Sequence, residues 1–171
     1  MGQAREKPAN GPVPDDAVEL YGMPGHLIRR MHQVSTSLFA AEMAKAGYDL
    51  TAVQFAALKV IHSHPGLDQA TLASAIAYDR VTIGGVIDRL ESKGLVRRVI
   101  AKGDRRSRRL HLEPAGEAVL VGVEPSVRLT QRRMLDGLSD KDRAVFMRLL
   151  RKALGAVGDL SRAPLRPVPP P

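Results

Sequence analysis

Cysteine is absent from the 171 residues, which excludes disulfides, thiolate metal sites and thiol-based redox sensing together. Long apolar runs are also missing. No stretch approaches the ~20 residues of a membrane span, and the opening MGQAREKPANGPVPDD lacks the apolar segment of a secretory signal, so a cytoplasmic protein without a membrane partner is expected. Catalytic signatures are wanting as well: there is no nucleophile elbow, phosphate loop or HExxH sequence, and scattered Ser, His and Asp residues do not make a triad. An enzyme is therefore not expected, nor a cofactor. Of the five histidines, His62 and His64 sit two apart at a helix end, a spacing that does not bring both rings to one face, so no metal site is expected.

Negative charge is scarce in one place above all. Eight Lys or Arg residues fall between Lys93 and Arg109, opposed only by Asp104, so seventeen positions carry a net +7 of the chain's formal +8. The rest of the chain is nearly neutral. Charge packed into one segment is the footprint of a surface built to meet a polyanion. With 44% apolar residues, the chain has enough to bury one ordinary core.

The ends read differently from the middle. Residues 1–18 are polar with Pro8, Pro12 and Pro14, and residues 161–171, SRAPLRPVPPP, are broken by proline too often for a helix. Both are expected to be disordered, as an N-terminal arm and a Pro-rich tail flanking a domain over 19–160. Within that domain Leu27, Ile28, Met31, Val34, Leu38, Phe39 and Met43 recur at helical steps from Pro24 to about Ala46, where Gly47 stops the helix. Thr51 and Gln54 form a capping box for a second helix that ends at His64-Pro65-Gly66. A short helix follows from Asp68. A turn over Ala77 to Asp79 leads to a further helix, Val81 to Glu91, closed by Gly94. Leu95 to Ile100 and Arg108 to Leu112 read as strands around a Lys102-Gly103-Asp104 turn. Pro114 opens another helix that Pro125 should kink or restart, and Ser139 with Asp142 caps a last one carrying Val145, Phe146, Leu149, Leu150, Ala153 and Leu154 on one face.

A short helix, a tight turn and a second helix make a helix-turn-helix, whose second member reads the major groove from its N-terminal end. The hairpin after it is a wing. The fold class expected is thus mainly α with a small β-hairpin wing, a winged helix-turn-helix over about 51–112. A compact winged helix has no use for the long apolar stripes of the first and last helices. They are expected to pack on the same helices of a second copy, giving a homodimerisation region from about 24–46 and 114–160 suited to a palindromic operator on double-stranded DNA.

The run DRLESKGLVRRVIAKGDRRSRRLHLEPAG, from Asp88 to Gly116, resembles the MarR family of bacterial transcriptional regulators, whose wing carries an Asp-Arg-Arg group, then a strand, then Leu-Thr-x-x-Gly. Glu113 departs from the family threonine, and Gly84-Gly85 replaces larger polar residues of the reading helix. The resemblance implies that Asp104, Arg105 and Arg106 form the wing motif, one of the arginines entering the minor groove. It implies too that Arg97, Arg98, Lys102 and Arg108 lie along phosphates. Arg80 and Thr82 are the candidates for base or phosphate contacts. Gly84 and Gly85, each ~1 kcal/mol worse than alanine in a helix, suggest close approach to DNA or to a neighbouring helix. Arg89 belongs to the DNA-facing set, or it and Asp88 instead brace the wing through an ion pair. Internal salt bridges compete for Arg97, Arg98, Arg108 and Arg109.

Family members often bind small aromatic acids between the dimer helices and the winged helix. The resemblance therefore implies a small aromatic carboxylate effector, with His26, Arg29, Arg30 and His32 as cations and Phe39, Tyr48 and Phe55 as walls, against the competing reading of plain core and solvated charge. Asp68 to Ala73, Ile76 to Arg80 and Thr82 to Leu90 further resemble the branch that represses nicotinate catabolism, which implies a hydroxylated pyridine carboxylate. The function expected is a dimeric repressor released by such an acid. An architectural DNA-binding protein, without ligand or strong sequence preference, is the alternative.

Overall fold

The computed structural model describes residues 19–101 and 104–168, with the backbone alone at 101 and 104–107. The expected arm over 1–18, the wing-turn residues Lys102 and Gly103, and the side chains of Asp104, Arg105 and Arg106 lie outside the described residues. The elements run α1 (Pro24–Lys45), α2 (Ala52–Ser63), α3 (Gln69–Ala75), α4 (Arg80–Ser92), β1 (Val96–Ala101), β2 (Asp104–Leu112), α5 (Pro114–Arg133) and α6 (Asp140–Val157), with 3-10 turns at Glu19–Gly22 and Gly158–Leu160. This is a winged helix-turn-helix of mainly helical content, as the sequence pattern predicts.

Local chemistry sets the boundaries. Gly47 ends α1 with a φ of 78°, a conformation that costs a residue with a Cβ. Thr51 caps α2 through a complete capping box, its side chain accepting from the Gln54 N–H while the Gln54 side chain accepts from the Thr51 N–H. Pro125, expected to kink or restart its helix, instead lies inside an uninterrupted α5. The ring removes the donor for the Val121 carbonyl. Val121 is 77% exposed, so water can take that bond.

The chain divides into two compact units within α1, at Val34 and Ser35. In the first, Tyr21 meets His26 edge to face with ring centroids 5.5 Å apart, Arg29 donates to Gln33, and Leu27, Ile28, Met31 and Val34 remain exposed. In the second, Leu58, Ile61, Leu72, Ile83, Ile87, Leu90, Val96, Leu110 and Val123 form a fully buried core drawn from α2, α3, α4, both strands and α5. Burying a side chain of this size contributes ~1.5–3 kcal/mol, so this cluster holds the reading helix and the wing in one body.

β1 and β2 pair antiparallel from Val96↔Leu112 to Ile100↔Arg108, after which a bulge brings Ala101 opposite Asp104. The second strand therefore starts four residues earlier than expected. Its root is stitched to the α2–α3 link: Gly66 N–H donates to Leu110 O at 2.8 Å and Leu110 N–H to Leu67 O at 2.9 Å. The glycine closing the LEPAG motif acquires a role here. A Cβ on Gly116 would stand 2.2 Å from the Leu95 carbonyl oxygen, so only glycine lets α5 seat against the start of the wing.

The tail departs from expectation over part of its length. Prolines exclude a helix there, yet the extended chain still reaches partners: Arg166 N–H donates to Ser74 O at 2.8 Å, the Arg166 guanidinium pairs with Asp159, and Val168 packs against the core. By contrast α6 buries none of its residues.

Candidate nucleic-acid interface

Two aspartates frame the reading unit. Asp68 caps α3, accepting from Thr71 N–H at 2.9 Å and from the Thr71 hydroxyl at 3.0 Å. Burial pushes its carboxyl up, but the Thr71 and Ala70 donors and the nearby Arg109 outweigh that, leaving it below its ordinary value. Asp79 repeats the device on α4, accepting from Thr82 N–H at 2.9 Å and from the Thr82 hydroxyl at 2.6 Å. The Thr82 hydroxyl first, then its N–H, holds the Asp79 carboxyl below its ordinary value. Between the caps, Ala77 takes a φ of 55° to make the tight turn, and Gln69 reaches across to the Arg80 carbonyl at 3.4 Å. Thr82, a candidate base contact, thus has its proton committed to Asp79, leaving its lone pairs to accept.

The exposed face of α4 is set by what the helix buries. Ile83, Val86, Ile87 and Leu90 face the core. Arg80 and Arg89 are exposed and have no ion-pair partner among the described residues. Among the described residues a Cβ on Gly85 would meet nothing within 4 Å, whereas one on Gly84 would stand 3.3 Å from the Gln69 side-chain nitrogen that reaches the Arg80 carbonyl, a tight approach to α3.

The basic run divides into a structural root and a remainder. Arg98, expected along phosphates, is 19% exposed and braces the wing against α4, its guanidinium reaching Asp88 at 2.6 Å and Glu91 at 2.5 Å. Asp88 thus braces the wing through an ion pair, as expected, whereas Arg89 has no ion-pair partner among the described residues. Arg97 pairs with Glu113 at 3.1 Å. Glu113 is the N-cap residue of α5 but makes no cap hydrogen bond, so the departure from threonine exchanges a cap for a bridge to the wing. Lys93 is tied to Asp49 at 2.7 Å, and Arg109 donates to the Gly66 carbonyl at 3.3 Å. Arg108 is exposed and unpaired among the described residues. The side chains of Lys102, Arg105 and Arg106 lie outside the described residues.

The expected effector walls are in the second unit. Phe39 and Phe55 stack tilted with centroids 6.1 Å apart, and the Tyr48 hydroxyl lies so close to Gly122 that a Cβ there would clash with it. Phe39 and Tyr48, but not Phe55, line a pocket of about 260 Å³ together with Thr36, Met43, Asp49 and Thr51 among others; its one charged lining residue is the anionic Asp49. His26, Arg29, Arg30 and His32 belong to the first unit. There, His26 Nε2 is buried without a hydrogen-bond partner among the described residues. Glu42, missed in the sequence, is buried in α1 and ion-paired to Lys45 and to Arg133 of α5.

Residues 50–107 match the MarR family model. The repressor NicR of Pseudomonas putida is 30% identical over 147 residues, covering 86% of this chain and 92% of its own length. The chain belongs to the MarR family. It is a DNA-binding transcriptional regulator, which favours that reading over an architectural protein. Among solved structures, BpsR of Bordetella bronchiseptica, described as regulated in its DNA binding by 6-hydroxynicotinic acid, superposes with a TM-score of 0.71 at 28% identity, covering 84% of this chain and 97% of that one. The repressor CouR, bound to a 23-mer DNA duplex, gives 0.72 at 26% identity over 79% and 94%. No helix among the described residues is long and apolar enough to cross a membrane.

Proposed function

We propose that this MarR-family regulator is a homodimeric repressor released from a palindromic operator by a small aromatic acid, with a hydroxylated nicotinate as the first candidate. The observation that carries the effector is the joint likeness to NicR and to BpsR, at nearly full length of both. The winged helix from α2 to β2 is the DNA-binding part, and α1, α5 and α6 supply the dimer. Phe39, Tyr48 and Phe55 are the proposed ring walls. An acid of this kind acts only if it prefers the conformation that DNA does not, so its affinity must differ between free and bound protein.

The test is fluorescence anisotropy of the purified protein on DNA flanking its own gene against a scrambled duplex, at ~150 mM salt where the phosphate contribution is held fixed. Preference for the flanking duplex, relieved by 6-hydroxynicotinate and less by nicotinate or benzoate, is expected. Specific binding that no aromatic acid relieves would remove the effector and leave the repressor. His26, Arg29, Arg30 and His32 are the proposed carboxylate ligands, and a separate alanine series at those positions should raise the acid concentration needed for release without weakening DNA binding.

A further inference from the structure

We infer that Val81 reads thymine, through contact of its methyl groups with the 5-methyl group in the major groove; the inference rests on the reading of α4 as the groove-entering helix. The position of Val81 follows from helical geometry. At about 100° per residue, the outward centre line of a helix that buries Ile83, Val86, Ile87 and Leu90 passes through Val81, beside Gly84 and Gly85, and on to Asp88. Arg80, Thr82 and Arg89 fall to its flanks. Val81 is therefore the residue that meets whatever lies directly beneath the first turn.

It is also the residue least suited to water there. Val81 is 87% exposed, the most exposed of the large apolar residues described. A β-branched residue lowers helix propensity and gains nothing from packing at this position, so neither stability nor solubility accounts for it. Farther along the centre line the charge of Asp88 is answered by Arg98, and the glycines project nothing. The first turn thus presents one stiff pair of methyl groups, held in place by the Asp79–Thr82 cap. The edges of base pairs in the major groove offer one apolar group, the thymine methyl, and apolar contact with it is a recognised mode of readout. Because the valine has a single strongly preferred rotamer in a helix, little side-chain entropy is lost on contact.

The inference is tested by selecting duplexes from a random pool with the wild-type protein, then replacing each thymine of the selected sequence in turn by deoxyuridine, which deletes only the methyl group. Wild type should lose about fourfold in affinity at one thymine per half-site, the worth of burying one methyl group. Val81→Ala, which in the proposed dimer removes the contact at both half-sites, should bind the unmodified duplex less tightly by about the square of that factor and become indifferent to deoxyuridine at that position. Val81→Thr, of similar shape, should retain part of the dependence. A merely structural role for Val81 would leave the deoxyuridine penalty intact in Val81→Ala, and that result would overturn the inference. So would a wild type indifferent to every thymine-to-deoxyuridine exchange. Failure to enrich any common sequence would instead remove sequence-specific readout itself.

Discussion

Arginines that look alike in the basic run have separate duties. Arg98 joins two carboxylates, Asp88 and Glu91, and so fixes the angle between reading helix and wing. Arg108, exposed and unpaired among the described residues, is free to replace counterions on a phosphate. Arg108→Ala should therefore weaken binding uniformly across duplex sequences and reduce the slope of log affinity against log salt by about one unit, with thermal stability unchanged. Arg98→Ala should lower the melting temperature and leave two facing carboxylates unanswered. Titrations at several salt concentrations, paired with thermal unfolding, separate the two. An equal loss of salt slope in both variants would refute this division. The net +7 is plain in the sequence, but partners are not. Asp49 and Gly66, which engage Lys93 and Arg109, are more than forty residues distant along the chain. The same limit hid Glu42, whose partner Arg133 lies on α5.

Helices in this protein were legible where their signals are local. The capping box at Thr51, the Ser139 cap and the glycine stops depend on three or four adjacent residues, and they stand where the pattern places them; the aspartate caps at Asp68 and Asp79 carry the same local signal but were not read from it. Pro125 misled because its effect depends on whether water can reach the Val121 carbonyl, which is a matter of tertiary exposure. The tail's contact with Ser74 was hidden for a related reason, since proline content speaks only against helix. The Asp79 cap carries a pH dependence of definite sign. Its carboxyl is held below the ordinary value, so its contribution is fully present above the unfolded value of about 4 and is lost as pH falls through the folded one. Asparagine caps nearly as well without titrating. The stability advantage of wild type over Asp79→Asn should thus hold from about pH 7 down to about pH 4 and shrink as the pH falls further, measured by thermal unfolding. An advantage that stays constant throughout would show that the charge of Asp79 contributes nothing to the cap.

At the scale of the whole molecule, one chain leaves too much apolar surface without cover. Leu149 is 50% and Leu154 59% exposed on α6, a helix that buries none of its residues, and Ile28 on α1 is 62% exposed. An exposed apolar stripe of this kind on a helix marks an interaction surface, and a stable interface takes about 800 Å² from each partner. On the proposed homodimeric reading a second copy covers this surface, and two heads joined in one dimer would bind a palindrome as a single event. The double variant Leu149→Glu/Leu154→Glu places charge in the stripe and should shift the protein to monomer in light scattering, with operator affinity falling at least tenfold. Arg148→Glu, on the polar face of the same helix, should leave the mass of the assembly unchanged. If the double variant remained dimeric and bound DNA normally, α6 would not be the interface, and its exposed leucines would need another partner.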